Sequence, residues 1–329
     1  MSLNEICQSI KKYNNFLITA HTSPEGDALG SQLGFYNLIK KLGRRATIIS
    51  DDQLPYGYDF LPGFQRIRRF GQKSKYIKFD CLVVLDCADL KRTGRVYKLN
   101  LDHQPVLNID HHISNQIFGD VNWVNVQASS CSEMIYQLYK RLHLAMDKDT
   151  ALVLYTGIMT DTGSFRYSNT SSSTLKAAGE LLKLGVNVAE VYRYAYENIS
   201  PSEAKLLLKF LSQVKFFGRG KIAAFSIDPK LYGGKRIGLD LADHVLSFGR
   251  AIKGVEVVVL FKNSLGPNSL VRVNLRSQGR VDVNKIAAFF GGGGHQTAAG
   301  CTICAAPKVV RRKVITKICQ FLKLNSSGI

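Results

Sequence analysis

The feature that most constrains this chain is a repeated ending. Three apolar runs, Asn15–Ala20 (NFLITA), Cys81–Leu85 (CLVVL) and Val106–Ile109 (VLNI), each stop at a polar residue: His21, Asp86 and Asp110. Short continuous apolar runs read as strands buried on both faces, as in a parallel sheet covered by helices. Ala46–Ser50 (ATIIS) is another such run. Helical patterns fall between and after them, over Asp27–Leu42 (closed by Gly43), Ser132–Leu142 and Asp149–Thr160. Strands alternating with helices predict an α/β fold with a mostly parallel sheet flanked by helices. In such sheets ligands bind outside the carboxyl ends of the strands. The three polar endings, distant in sequence, are therefore expected to meet at one sheet edge.

The rear of the chain reads differently. Helical patterns run over Thr174–Leu184, Val188–Asn198 and, after Pro201, Ser202–Leu211. Strands follow at Ile222–Ile227, Val255–Phe261 and Leu270–Leu275, with helices at Val283–Phe290 and Lys308–Leu322. This order predicts a smaller C-terminal α+β domain behind a helical linker, with domains at 1–195 and 215–329 and the linker at 196–214. Charge divides along the same line. Residues 1–199 hold 23 basic and 19 acidic side chains, whereas residues 200–329 hold 21 basic and 6 acidic ones. A field of that sign excludes an ordinary acidic metabolic surface and predicts a polyanionic partner.

The longest apolar, uncharged stretch, Thr150–Thr160, is far short of the ~20 residues a membrane span needs. The opening MSLNEICQSIKK has no signal-peptide core. A cytoplasmic protein with no membrane partner is expected. Seven scattered cysteines, an odd number in so long a chain, argue against a disulfide framework. Cys301 and Cys304 lack the second pair a zinc site would need and read as buried thiols.

Four clusters carry chemistry in the front half. The first is His21-Thr-Ser-Pro-Glu25-Gly-Asp27, where Pro24 and Gly26 make a tight turn that would set Glu25 and Asp27 on one side. Asp27 could equally cap the helix that follows, with Glu25 a first-turn charge. The second is Asp86-Cys-Ala-Asp89: an acid directly after a buried strand could bridge two cations, while Asp89 reads as the cap of a turn. The third is Asp110-His111-His112. Neighbouring side chains of extended chain point to opposite sides, so one imidazole could bind metal and the other face substrate. Asp110 could orient one of those imidazoles from behind. The fourth ends the most apolar helix, at Asp161, with Arg166 close enough in sequence to hold phosphate. His21, Glu25, Asp27, Asp86, His111 and Asp161 together are mixed N/O donors, too many for one tetrahedral zinc and suited to two divalent ions such as Mn²⁺ or Mg²⁺. Far downstream lies Phe290-Gly-Gly-Gly-Gly294-His295-Gln-Thr-Ala-Ala-Gly300. Its glycines, including Gly293 and Gly294, could bring bare N–H groups to an anion, beside His295 and Arg276. It lacks the Lys-Ser/Thr of a P-loop, which disfavours ATPase chemistry.

This ordered set resembles the DHH phosphoesterases, a family named for the Asp-His-His found here at Asp110–His112. Phe290–Gly300 resembles the glycine-rich motif of the accessory DHHA1 domain. The resemblance runs from about residue 10 to 320 and is nearest to the NrnA-like subgroup. That subgroup combines oligoribonuclease (nanoRNase) activity with removal of the 3′-phosphate of pAp. It implies a DHH catalytic domain, a DHHA1 substrate domain and an active site in the cleft between them. It also implies two Mn²⁺ ions (Mg²⁺ or Co²⁺ in the alternative). His21, Glu25 and Asp86 would hold one; Asp27, Asp86, His111 and Asp161 the other. His112 would contact the scissile phosphate, and Arg276 and His295 the substrate's other phosphate or ribose. Glu25 departs from the family, which usually has Asp there. The expected substrates and partners are short RNA oligonucleotides and pAp, with linear or cyclic dinucleotides and pyrophosphate as alternatives and a homodimer left open.

Overall fold

The computed structural model describes residues 3–227, 241–263 and 270–324. The chain forms two compact units, Met1–Asn198 and Ile199–Ile329.

In the first unit six strands, counted among the described residues, form one sheet in the order β3-β2-β1-β4-β5-β6. They are β1 (Asn15–Thr19), β2 (Arg45–Ser50), β3 (Ile67–Arg69), β4 (Cys81–Leu85), β5 (Val106–Asp110) and β6 (Val121–Val124). Every pairing is parallel; Ile18 stands beside Val83, and Val83 beside Leu107. The expected mostly parallel sheet is therefore present, and two strands extend it beyond the sequence reading. β3 and β6, with only three and four residues, are too short to show a period.

The two faces are covered unequally. Ile18, Val83, Leu85, Leu107 and Ile109 pack into the main core with α1 (Leu3–Lys12), α2 (Gly26–Lys41), α3 (Cys131–Arg141) and α4 (Lys148–Asp161). Leu17, Leu82, Val84 and Val106 face a smaller cluster built from loops and 3₁₀ turns, with Cys87 and Val96. That explains why β4 is buried at all five positions. The unit closes with α5 (Ser172–Leu182) and α6 (Val188–Tyr196). No helix among the described residues is long and apolar enough to cross a membrane.

The second unit begins with α7 (Pro201–Leu211), capped by Ser200 and Glu203 in a reciprocal box with Pro201 in its first turn. Its sheet, ordered β11-β12-β10-β9-β8-β7, comprises β7 (Lys215–Phe217), β8 (Ile222–Ile227), β9 (Val257–Asn263), β10 (Leu270–Ser277), β11 (Gly293–Gly294) and β12 (Ala298–Cys304). Only the β8–β9 pair is parallel among the described strands. α9 (Val283–Phe289) and α10 (Pro307–Phe321) pack on one face. α7 and α8 (Leu241–Ala251) pack on the other. Cys301 is buried as expected, whereas Cys304 is exposed; residues three apart on a strand point to opposite faces.

Candidate active site

The strand order reverses between β1 and β4, which is where an open parallel sheet presents its ligand crevice. The residues that follow those two strands meet there. His21 Nε2 lies 3.5 Å from Asp86 Oδ2. From the end of β5, His111 Nε2 lies 3.5 Å from Asp86 Oδ1 and 3.7 Å from Asp161 Oδ2. Asp161 is the last residue of α4. Asp86 thus touches the segments that follow β1 and β5 at once, and His111 links it to the end of α4. The Asp86 backbone has φ +52°, a left-handed conformation that an acidic residue adopts at some cost. The amide that fixes this turn donates to Ile109 O at 3.0 Å, so β5 holds Asp86 in place.

The two histidines divide as their alternation requires. His111 is buried and faces Asp86 and Asp161. His112 turns its Nδ1 to Asp110 Oδ1 at 2.7 Å and lies 3.7 Å from Asp86 Oδ1. Asp110 is fully buried and also accepts from the His111 amide and from Asn115 Nδ2, at 2.9 and 2.6 Å. Asn115 donates further to Asn108 Oδ1 at 2.8 Å. Asp110 therefore sits behind His112 and fixes its ring. The sequence reading missed Asn108 and Asn115. Asn108 was visible as the one polar residue within VLNI; Asn115 left no signal.

Glu25 and Asp27 exchange the local places expected for them. Glu25 stands at the N-cap of α2, exposed and making no side-chain cap bond. Asp27 is buried and caps a different helix: Oδ2 accepts from Cys131 N at 2.7 Å and Oδ1 from Ser132 N at 2.8 Å, at the start of α3. The charges of both nonetheless act on Asp161 at the end of α4. Asp89 does cap a turn, accepting from Lys91 N at 2.9 Å. Arg166 is exposed, with Nε donating to Gly163 O at 2.8 Å.

Crowding sets the protonation of the cluster. Burial, reinforced by the Asp86 charge, pushes Asp27 up to about 6. Burial drives Asp161 well above the ordinary carboxylate range; His111 opposes this, while Asp27, Asp86 and Glu25 add to it. Burial also opposes a charge on His111, but Asp161, Asp86 and Asp27 overcome it and raise the imidazole to about 10. For Asp86 the hydrogen bonds of His111 and His21 outweigh burial and hold the carboxyl low. Three carboxylates packed around one protonated imidazole form a place for positive charge.

A divalent cation fits it. Asp86, Asp110, His111 and His112 form one group, and Asp27, His111 and Asp161 another, whose donor atoms all lie within 4.8 Å of one another. The donors are nitrogen and oxygen, as Mg²⁺ or Mn²⁺ requires. The nearby Cys131 thiol is pushed far up by burial and stays protonated. His21 Nδ1 lies 2.7 Å from Thr22 O, the second-sphere contact that points Nε2 inward.

In the second unit the glycine-rich segment is a hairpin rather than an open loop. β11 and β12 pair Gly293 with Gly300 and Gly294 with Ala299. His295 N donates to Ala298 O at 2.7 Å across the turn. Arg276 on β10 is the register partner of Ala298, which brings it beside this turn. Its guanidinium also reaches Asp243 Oδ1 at 3.4 Å. Two of the four glycine amides are not bare: Gly291 N and Gly292 N bond the last carbonyls of α9 at 2.9 Å each. A Cβ on Gly292 would stand 2.1 Å from Gly300 O, so this glycine serves close packing.

Residues 15–158 match the DHH family, N-terminal domain, and residues 235–323 match the DHHA1 domain. The chain is 34% identical over 288 residues to the bifunctional oligoribonuclease and PAP phosphatase NrnA of Thermus thermophilus, covering 87% of this chain and 83% of that protein. It is 28% identical over 308 residues to the protein of the same name from Bacillus subtilis, covering 91% and 92%. Among solved structures, an exopolyphosphatase-related protein from Bacteroides fragilis superposes with a TM-score of 0.85 at 25% identity, covering 98% of this chain and 95% of that one. With the acid–imidazole cluster at the sheet's switch point, these matches define a hydrolase acting on phosphate esters. The chain belongs to the DHH family and carries its N-terminal domain followed by a DHHA1 domain.

Proposed function

We propose that this phosphoesterase uses two divalent cations, Mn²⁺ first among them, to degrade short oligoribonucleotides to mononucleotides and to convert pAp to AMP in the cytoplasm. The observation that carries the reading is the meeting of His21, Asp27, Asp86, His111 and Asp161 at one sheet edge. The names of the two relatives supply the substrate classes.

His21, Glu25 and Asp86 would hold one cation, and Asp27, Asp86, His111 and Asp161 the other. Bound there, such ions would neutralise phosphate charge and supply a deprotonated water at neutral pH. The chain's own residues do the rest. Asp110 takes the Nδ1 proton of His112 into a hydrogen bond and fixes the ring, which assigns Nε2 to a phosphoryl oxygen. Asn115 and Asn108 lock Asp110 in turn. In the DHHA1 unit, Arg276 and His295, beside Gly293 and Gly294, grip another phosphate or the ribose; Arg166 adds a cation from the DHH unit.

The test is hydrolysis of 5′-labelled RNA from dimers to 24-mers, beside pAp, pApA and pyrophosphate, with Mn²⁺ and with chelator. Metal-dependent release of mononucleotides from the shortest RNAs, with AMP from pAp, is expected. Turnover of pyrophosphate alone would replace this reading with a polyphosphatase one. Equal turnover of 5-mers and 50-mers would refute the preference for short chains.

A further inference from the structure

The rear unit holds positive charge that the proposed grip does not use. Residues 283–329 carry seven Lys and Arg side chains and no acid. Five of the seven are on α10, whose apolar side (Val310, Val314, Ile315, Ile318) is spent in the core. Beside α10 opens a cavity of about 460 Å³ whose polar lining is Ser212, Gln213, Lys215, Ser226 and Arg311. No acidic side chain lines it among the described residues, and it shares none with the acid–imidazole cluster or the glycine hairpin.

The fold anchors the Arg311 guanidinium and carries Lys215 on the neighbouring strand. Lys215 on β7 pairs in register with Ala224 on β8. Ser226 follows on the same face of β8, about 7 Å along the strand. Arg311 donates from Nη2 to Ser226 Oγ at 2.8 Å, and its guanidinium lies 5.9 Å from the Phe261 ring centre. Arg311 is only partly exposed, yet a neutral hydroxyl and a ring are its anchors. Neither Arg311 nor Lys215 has a carboxylate in ion-pair range among the described residues. A half-buried guanidinium ordinarily has a counter-charge. Here the place for one is the cavity, whose size is that of small-molecule sites rather than of a lone ion.

We propose that this cavity is a second anion site and takes the phosphate of a nucleotide, either a free mononucleotide or one within an RNA chain. Lys215 and Arg311 hold the phosphate; the hydroxyls of Ser212 and Ser226 and the Gln213 amide complete a polar lining that also suits a sugar. Only the RNA form rests on the function proposed above.

The experiment uses AMP and a phosphorothioate RNA 10-mer as probes, with metal chelated. Both are titrated into the full chain carrying Arg276→Ala and His295→Ala, so that the proposed grip does not mask the cavity. Lys215→Gln and Arg311→Gln are then added singly. At least fivefold weaker binding of one probe is expected, with Arg311→Lys intermediate. Loss with AMP identifies a free nucleotide; loss with the 10-mer alone identifies a chain. Lys215 is exposed, so Lys215→Gln keeps the fold even should Arg311→Gln not. Equal binding by all forms, or no binding of either probe, overturns the proposal. An enzyme inactive on RNA whose cavity still binds AMP would overturn the proposed function and leave this site standing.

Discussion

At the residue scale the centre turns on Asp86, whose carboxylate contacts His21, His111 and His112. Asp86→Asn tests it cleanly, because Asn tolerates the left-handed backbone at φ +52° as well as Asp does. Metal-dependent turnover should fall by at least about a thousandfold, while the thermal midpoint without metal stays within a few degrees. Retained turnover on every substrate would show that the cluster is structural. Protonation gives a second prediction. His111 titrates at about 10 in the folded chain against an ordinary value near 6.5, so the stability it contributes is complete below 6.5 and lost as pH rises toward 10. Asp27, raised to about 6, contributes in the same sense and loses its share between pH 4 and 6. Asp86, held low, acts only on the acid side. The metal-free protein should therefore lose stability from pH 6 to 9. Metal, which binds His111 only after its proton leaves, should bind more tightly over the same range. The gap in midpoint with and without Mn²⁺ is expected to widen with pH in calorimetry. A constant or shrinking gap would mean that the ion does not displace the His111 proton.

At the element scale the site depends on how closely α2 approaches α4. Gly26, Gly30 and Gly34 recur every four residues along α2, and a Cβ on them would meet Thr160, Val153 O and Leu154 at 2.4, 2.5 and 2.4 Å. Gly157 answers from α4: its Cβ would stand 2.0 Å from Ser132 Oγ and 2.9 Å from Asp27 Oδ1. The helix pair thereby places Asp27 and Asp161, far apart in sequence, at one edge. Gly157→Ala should destabilise the chain by about 1–3 kcal/mol through overpacking, and should weaken Mn²⁺ binding several-fold by moving Asp27. Urea unfolding and a metal titration measure the two. A stability loss with Mn²⁺ affinity unchanged would separate packing from the site. The glycine spacing was in the sequence, and so were the strand endings, because burial on both faces leaves no other reading of CLVVL followed by Asp. What could not be read was the partner of each group. Asp27 caps α3, 104 positions away in Cys131, rather than its own helix. Asn115 serves Asp110 from a loop with no period. The glycine run closes as a hairpin because β10 and β12 pair around it. Such contacts are fixed by tertiary packing, which local patterns do not encode.

At the scale of the whole molecule, the two units differ in charge more than in size. The first holds 23 basic and 19 acidic side chains, the second 21 and 6. A near-neutral unit with a buried acid–imidazole cluster and a strongly basic one should respond differently to salt. Contacts between exposed cations and phosphates are weakened as counterions compete, with a slope of about 0.7 per contacted phosphate for single strands. Buried pairs such as His111 with Asp86 are screened far less. Salt should therefore raise KM and leave kcat nearly constant. For an RNA pentamer held through three phosphates, KM should rise roughly tenfold between 50 and 150 mM KCl. pAp, with fewer phosphates to place, should respond less steeply. Kinetics on both substrates at fixed Mn²⁺ decide the matter. A KM that moves equally for pentamer and pAp would mean that the basic unit does not read the length of the chain. A kcat that falls with KM would place the salt-sensitive contacts in the transition state rather than in binding.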